Sequence, residues 1–471
     1  MSAGRTDSSD GLLGNSFEAQ VRQSYSDAEA AKILRAYTYA VERLEDEADR
    51  HLRAANVLLD QRADAVVVTA ALLIPPHQQG DLSAHEIKSL FGDAMSDLVV
   101  RASDEGILAP GTEVHRMQDL RRWLTSISVD VRTLVLRVGL RLGALEGLAE
   151  GTESGNQDGD QKDIAQETMD LYVPLADRMG MGALRTRLED ACFRLLQPAV
   201  HAEMTRSIES IRKQDQICLS LLEDGVTRLL EQRGVDATVQ SRTKGLYSIY
   251  RKMCRLESSL DDVMDRIGLR IIVPSIEACY QVLGLLHTRF RPVPGTFDDY
   301  IGFPKENGYQ SLHTCVYPVP DISIKPVEFQ IRTEAMHREA EYGVAAHWLY
   351  KNREGARAED RRQLEELCQL LPESDEGFDF DAFLDRLHRR IRDDRLVVFR
   401  DQRHHVRLPA NTTVRDLGRQ LVGPNEPETH VRINGTCHSP DYLLRDGDSI
   451  DSAVLERDND SFSLETMDAQ A

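Results

Sequence analysis

The sequence has no apolar run near the roughly 20 residues that a membrane-crossing helix requires. Its start, MSAGRTDSSDGLLGNSF, lacks the basic segment and apolar core of a secretory signal. No membrane partner is expected, and the expected compartment is the cytoplasm. Cysteine is sparse and unpaired. Cys192, Cys218, Cys254, Cys279, Cys315, Cys368 and Cys437 are odd in number and show no Cys-x-x-Cys spacing. That pattern speaks against a disulfide framework or a cysteine zinc site and leaves buried free thiols as the expectation. Positive charge is also short: 57 Lys and Arg stand against 78 Asp and Glu, a net charge of -21. Nonspecific binding of nucleic acid over the whole surface is therefore not expected.

What is present is enough chain, 471 residues, for roughly two to four domains. Residues 1–25 read as a disordered tail. Residues 26–215 place apolar side chains three and four apart and read as helical. At 216–355 β-branched runs appear, RIIV, HTCVYPV and VEFQI, alternating with helical segments. This predicts an α/β domain around a mixed sheet. Residues 356–392 read as a helical connector. Residues 393–456 carry short strand signals and one helix, which suits a small β-grasp domain. Residues 457–471 read as an acidic disordered tail. The fold class is thus multidomain, α and α/β.

Chemistry concentrates between Ser241 and Lys351. In SRTKGLYSIYRKM, Arg242 and Lys244 are two apart at a strand end and Ser248 and Lys252 four apart on a helix. Four such donors suit a polyphosphate, although a basic run taken alone is more often a solvated face. In VMDRIGLRIIV, Asp265 precedes a buried strand that carries Arg270. That is a position for a Mg2+ carboxylate or, equally, for a cap. In GTFDDYIGFPKENGYQSLHTCVY the turn at Lys305 and Asn307 enters a strand with Tyr309, Gln310 and His313. The tyrosine suits base stacking; a hairpin with one core tyrosine is the plain alternative. In PVEFQIRTEAMHREAEYGVAAHWLYK a strand puts Glu328, Gln330 and Arg332 on one face, opposite Phe329 and Ile331. His347 and Trp348 on the helix that follows read as core.

These four segments, in order and with the strings YQSLHT, QIRT and GVAAHW, resemble the synthetase domain of the RelA/SpoT homolog family. The resemblance implies a nucleotidyltransferase-like sheet and transfer of pyrophosphate from ATP to the 3′-hydroxyl of GDP or GTP, giving the stringent-response alarmone (p)ppGpp. It implies Asp265 and Glu328 as the Mg2+ carboxylates, with Glu328 also activating the 3′-hydroxyl. It places Arg242 and Arg270 around adenine and Lys244, Ser248 and Lys252 on the ATP phosphates. It puts Tyr309 on guanine, with Lys305, Asn307, Gln310 and His313 in the same acceptor loop. One departure stands at Thr296-Phe297-Asp298-Asp299. Bifunctional members carry a basic Arg-x-Lys-Asp here and synthetase-only members an acidic Glu-x-Asp-Asp, so this chain is expected in the acidic class.

The helical region is similar to the family's HD hydrolase domain. Active members have His-Asp after Ala-Leu-Leu; here Ala71-Leu72-Leu73 runs into Ile74-Pro75. Where they have a downstream Ala-Asp-Arg-Leu-His-Asn string, this chain reads Val138-Gly139-Leu140-Arg141-Leu142-Gly143-Ala144. Ile, Pro, Leu and Ala offer no metal ligand, so the hydrolase is expected to be lost. The 393–456 segment resembles a TGS domain, which implies uncharged tRNA on the ribosome as a partner. The chain stops before the family's later regulatory regions, so a truncated member is expected. Two other readings remain open: the same chemistry on adenosine nucleotides or tRNA, and a catalytically silent nucleotide sensor.

Overall fold

The computed structural model describes residues 10–44, 48–103, 127, 130–150, 158–256, 259–260, 263, 266–305, 307–317 and 326–343, and, further on, 396–400, 404–408, 412–417, 432–433, 436–444 and 449–450. The chain forms two units, 1–391 and 392–471. The expected connector at 356–392, both the Asp265 and Lys351 positions, and His347 and Trp348 lie outside the described residues.

The first unit opens with α1 (Asp10–Ser24), α2 (Asp27–Leu44), α3 (Ala48–Asp60), α4 (Ala65–Gln78), α5 (Ala84–Phe91) and α6 (Asp93–Ser103). It continues through α7 (Arg132–Glu150), α8 (Asp158–Glu167), α9 (Val173–Arg178), α10 (Gly182–Leu196) and the long α11 (Pro198–Gln232). The expected tail at 1–25 is corrected in part. Residues 10–24 are helical, and Phe17 and Val21, one turn apart, are buried in the helical core. Two apolar side chains one turn apart do not stand out in a polar sequence. Residues 65–76 on α4 are nearly all buried, which fits its lack of a polar face. Glycines on α7 let helices touch: a Cβ at Gly143 would stand 2.9 Å from the Ala54 backbone N on α3.

The change of character expected at 215–216 falls inside one continuous helix. The first half of α11 sends Met204 into a small cluster with Phe193 and Ile249. Its second half sends Leu219, Leu222, Val226 and Leu230 under the sheet. That sheet contains β1 (Thr238–Thr243), β2 (Ile267–Val273), β3 (Arg291–Pro292), β4 (Asp298–Asp299), β5 (Leu312–Tyr317) and β6 (Val327–Thr333). The strand order is β1-β2-β6-β5-β3, with β4 also on β5. β2 and β6 run parallel and the other pairs antiparallel, so the sheet is mixed as expected. The remaining helices are α12 (Leu246–Leu256), α13 (Ile276–Arg289) and α14 (Glu334–Tyr342).

Strand alternation splits the sheet into two faces. Leu269, Ile271, Phe329, Ile331, Leu312 and Val316 bury one face against α11 and α13. The other face carries polar side chains in register. One row is Gln240, Arg270, Gln330, His313 and Asp298; the next is Arg242, Gly268, Glu328 and Cys315.

The second unit has a sheet ordered β10-β9-β11-β7-β8, from β7 (Leu396–Arg400), β8 (His404–Leu408), β9 (Arg432–Ile433), β10 (Thr436–Cys437) and β11 (Ser449–Ile450). Here β11 pairs β7 in parallel and the other pairs are antiparallel. Among the described residues no helix is long and apolar enough to cross a membrane. Cys192, Cys218, Cys279 and Cys315 are buried and form no disulfide among the described residues, as expected, whereas Cys254 is exposed.

Candidate active site on the polar face of the sheet

Glu328 is the centre of the polar face. Gly268 stands between it and Arg242 in the register, and no side chain fits there: a Cβ would lie 2.6 Å from the Glu328 carbonyl oxygen. The Arg242 guanidinium therefore crosses to Glu328, with Nη1 3.5 Å from Oε2. Gln330, two residues along the same strand, donates to Oε2 at 2.7 Å. His313 of β5 brings Nδ1 within 3.3 Å of Oε1. Its other nitrogen, Nε2, lies 2.7 Å from the Tyr309 hydroxyl. The Nδ1–H tautomer satisfies both contacts, donating to the carboxylate and accepting the phenol proton. Burial raises the Tyr309 phenol above its ordinary value, and the nearby Arg332 and Arg242 only partly offset this. The phenol thus stays a donor at neutral pH.

The acceptor loop is built around Asn307 and Gly308. The Asn307 side-chain oxygen accepts from the Tyr309 backbone N–H at 3.1 Å, the local turn chemistry expected of Asn. Gly308 takes φ +77°, where an L side chain is strained. Lys305 closes the turn by donating its backbone N–H to the Tyr309 carbonyl at 3.1 Å. Its ammonium sits 4.7 Å from the Tyr300 ring centroid. Gln310 faces the loop and donates to the Ile301 carbonyl at 3.2 Å. The acidic pair lies alongside. Asp299 accepts from the Ile301 and Gly302 backbone N–H groups at 3.0 and 2.8 Å and from Tyr280 at 2.8 Å. Thr296 is held structurally: its hydroxyl donates to the Val293 carbonyl at 2.8 Å and accepts from the Cys315 N–H at 3.2 Å.

The basic wall divides. Lys244 follows β1, and its backbone N–H bonds the Arg266 carbonyl at 3.0 Å. Ser248 and Lys252 share α12, as expected, but Ser248 is buried and donates to Glu189 of α10 at 3.3 Å. Burial pushes the Glu189 carboxyl up, against the pull of Arg185 and Arg251. Next to it, Asp190 accepts from the Tyr247 and Leu246 backbone N–H groups at 2.8 and 3.4 Å. It caps α12 from another helix. The helical region also reaches the acceptor loop, because Asn307 donates to the Asp177 carbonyl at 3.2 Å.

Arg270 lies one row from Glu328 and is bound to Glu341 of α14, Nη2 to Oε1 at 2.7 Å. The same Oε1 takes Arg332 at 3.0 Å. Burial, then the neighbouring Arg332, pushes the Arg270 guanidinium down to about 10. Burial alone would raise Glu341, but the two arginines outweigh it and hold its carboxyl below the ordinary value. His337, on the same helix, is pushed down to about 4 by burial and by Arg332 and Arg270. Sequence reasoning named neither Glu341 nor Glu189 as site residues. A charged side chain on a helix reads as solvated, and both contacts span elements far apart in the chain.

The polar face thus gathers Arg242, Glu328, His313, Tyr309 and Arg270 on one scaffold. Its centre is a carboxylate held by donors and open to a hard cation or a proton. This is an α/β unit with a polar-faced mixed sheet, joined to a helical region. Residues 241–355 match the region found in RelA / SpoT proteins, and residues 29–182 match an HD domain. A guanosine-3′,5′-bis(diphosphate) 3′-pyrophosphohydrolase of Aquifex aeolicus is 32% identical over 450 residues, 93% of this chain and 62% of its own. A GTP pyrophosphokinase rsh of Brucella melitensis is 30% identical over 454 residues, 92% of this chain and 58% of its own. The chain therefore spans about three-fifths of the length of these relatives. The small alarmone synthetase 1 of Bacillus subtilis, bound to its product pppGpp, aligns with 36% of this chain and 93% of its own at 26% identity, with a TM-score of 0.27. The chain thus carries the RelA / SpoT region and an HD domain, and is about 30% identical over most of its length to proteins with RelA/SpoT-type names.

Proposed function

We propose that this chain is a (p)ppGpp synthetase, a GTP diphosphokinase acting in the cytoplasm. The observation that carries the reading is Glu328, held at the centre of the polar face between Arg242 and the His313–Tyr309 pair. The 3′-oxygen of GDP or GTP attacks the β-phosphorus of ATP. The bond from that phosphorus to the α-phosphate oxygen breaks, and AMP leaves with that oxygen. Glu328 takes the proton of the attacking hydroxyl. Arg242 and Arg270 flank adenine, and Lys244, Ser248 and Lys252 meet the phosphates. Ser248 exchanges its long bond to Glu189 for a phosphate oxygen. Tyr309 stacks on guanine, with Lys305, Asn307, Gln310 and His313 around it. The oxygen donors of Glu328 and Asp265 fit Mg2+, and these two residues would hold it. When bound, the ion neutralises phosphate charge.

The helical region, in this reading, is a scaffold without hydrolase activity. Support comes from Ile74, Pro75, Val138 and Leu142, all buried. The second unit is read as TGS-like, with uncharged tRNA on the ribosome as its partner; its mixed sheet with parallel β7 and β11 supports that.

The test is to incubate the pure chain with ATP labelled in its β-phosphate, Mg2+ and, separately, GDP, GTP, AMP or tRNA, and to resolve the products. Label on the guanosine nucleotide is expected. Label on AMP or tRNA, or no transfer even with ribosomes and uncharged tRNA, would contradict the proposal.

A further inference from the structure

Two arginines under the polar face share one carboxylate oxygen. Arg332 is 1% exposed and cannot reach water. Arg270 has 14% of its side chain exposed and Glu341 24%. Two buried positive charges side by side repel, and each requires a partner. Glu341 Oε1 is that partner for both, at 2.7 and 3.0 Å. The Arg270 Nε is buried and has no hydrogen-bond partner among the described residues. Its guanidinium is therefore tied at one corner, by Glu341. Without that tie, no other hydrogen bond among the described residues holds the Arg270 guanidinium in place.

The position of Glu341 is itself fixed by the helical region. A Cβ at Gly182 would lie 2.6 Å from the Ala340 carbonyl oxygen, and one at Gly180 3.3 Å from the Gly343 Cα. Gly343, at φ +49°, ends α14 against the same corner, where a Cβ would strike the Met179 carbonyl. Backbone thus meets backbone at both ends of this contact, and the last turn of α14 cannot slide.

We infer that Glu341 is a positioning residue for ATP: through its bond to Arg270, with α14 seated on residues 179–182, it holds the adenine-side arginine in its working place. This rests on the assignment of Arg270 to ATP in the function proposed above. Glu341 touches neither substrate. Its loss therefore weakens ATP binding and leaves the guanosine nucleotide alone.

The experiment uses the full chain. Calorimetry gives the Kd for α,β-methylene-ATP, steady-state assays give KM for ATP and for GDP, and thermal unfolding gives stability. Glu341→Gln is expected to raise Kd and KM for ATP roughly tenfold or more, the scale of one lost charged hydrogen bond, with KM for GDP unchanged. A second variant separates positioning from stability. Arg332→Met combined with Glu341→Gln removes the stranded buried charge, so it regains thermal stability but not ATP affinity. Wild-type ATP affinity in the single variant, recovery of ATP affinity in the double variant, or an equal rise in both KM values would each overturn the inference. A wild-type chain that binds the analogue but transfers nothing would break the synthetase reading while leaving the ATP-affinity comparison intact. A wild-type chain that binds no analogue would overturn both.

Discussion

The α4 and α7 helices and the β6 strand all carry deeply buried positions, yet they spend that burial differently. On α4 and α7 the positions around Ile74, Pro75, Val138 and Leu142 are apolar and packed among Leu72, Leu73 and Leu145. On β6, Glu328, Gln330 and Arg332 are polar, and each has a partner: Arg242 and His313, Glu328, and Glu341. An unpartnered buried charge costs several kcal/mol. A chain therefore keeps such groups only where a network holds them. Around those four positions the helical region is apolar core, while the sheet carries a polar network. On the function proposed above, structure falls to one region and chemistry to the other.

The largest effect that tests this division is on Glu328. Glu328→Gln keeps the volume and removes the charge. It should cut pyrophosphate transfer roughly 10²–10⁴-fold with little change in unfolding temperature, as read by product formation and calorimetry. On the helical side, Ile74→Asp should do the reverse. An unpaired carboxylate there should cost about 3 kcal/mol or more in urea unfolding, with the activity of the remaining folded protein unchanged. A smaller effect is expected at Thr296, where valine keeps the shape and loses the hydroxyl bridge between Val293 and Cys315. Thr296→Val should cost about 1 kcal/mol, without the change in metal demand that a metal-side role for this loop would bring.

A further effect is a pH dependence. The folded-state pKa of His337 is depressed to about 4, below the ordinary imidazole value of about 6.5. Between those values the unfolded chain binds a proton that the folded chain does not, so stability is present above pH 6.5 and falls as pH drops toward 4. His337→Gln should flatten that fall in unfolding curves recorded at pH 7 and pH 5. An unchanged slope would remove His337 from the account.

Much of the site was legible because a strand's period is two. Glu328, Gln330 and Arg332 against Phe329 and Ile331 could be assigned to faces from spacing alone, and the buried apolar side bears this out. The Asn307-Gly308 turn was legible because its conformation demands those residues. What stayed hidden depends on distant partners. Ser248 to Glu189 and Asn307 to Asp177 join the sheet to the helical region across the chain. Glu341 joins two strands from a helix whose polar residues look solvent-facing. Asp298 and Asp299 read as one acidic pair, yet Asp299 accepts two backbone N–H groups and the Tyr280 hydroxyl. The helix at 10–24 escaped because Phe17 and Val21, its buried side chains among those described, are little signal in a polar stretch.

The central claim is that the sheet makes (p)ppGpp and the helical region does not remove it. The direct measurement is one time course with the pure chain, ATP and GDP, first with Mg2+ and then with Mn2+ added once ATP is spent. The account predicts that labelled ppGpp accumulates and then persists unchanged after Mn2+ is added. No ppGpp, or its loss with release of pyrophosphate, would contradict the account.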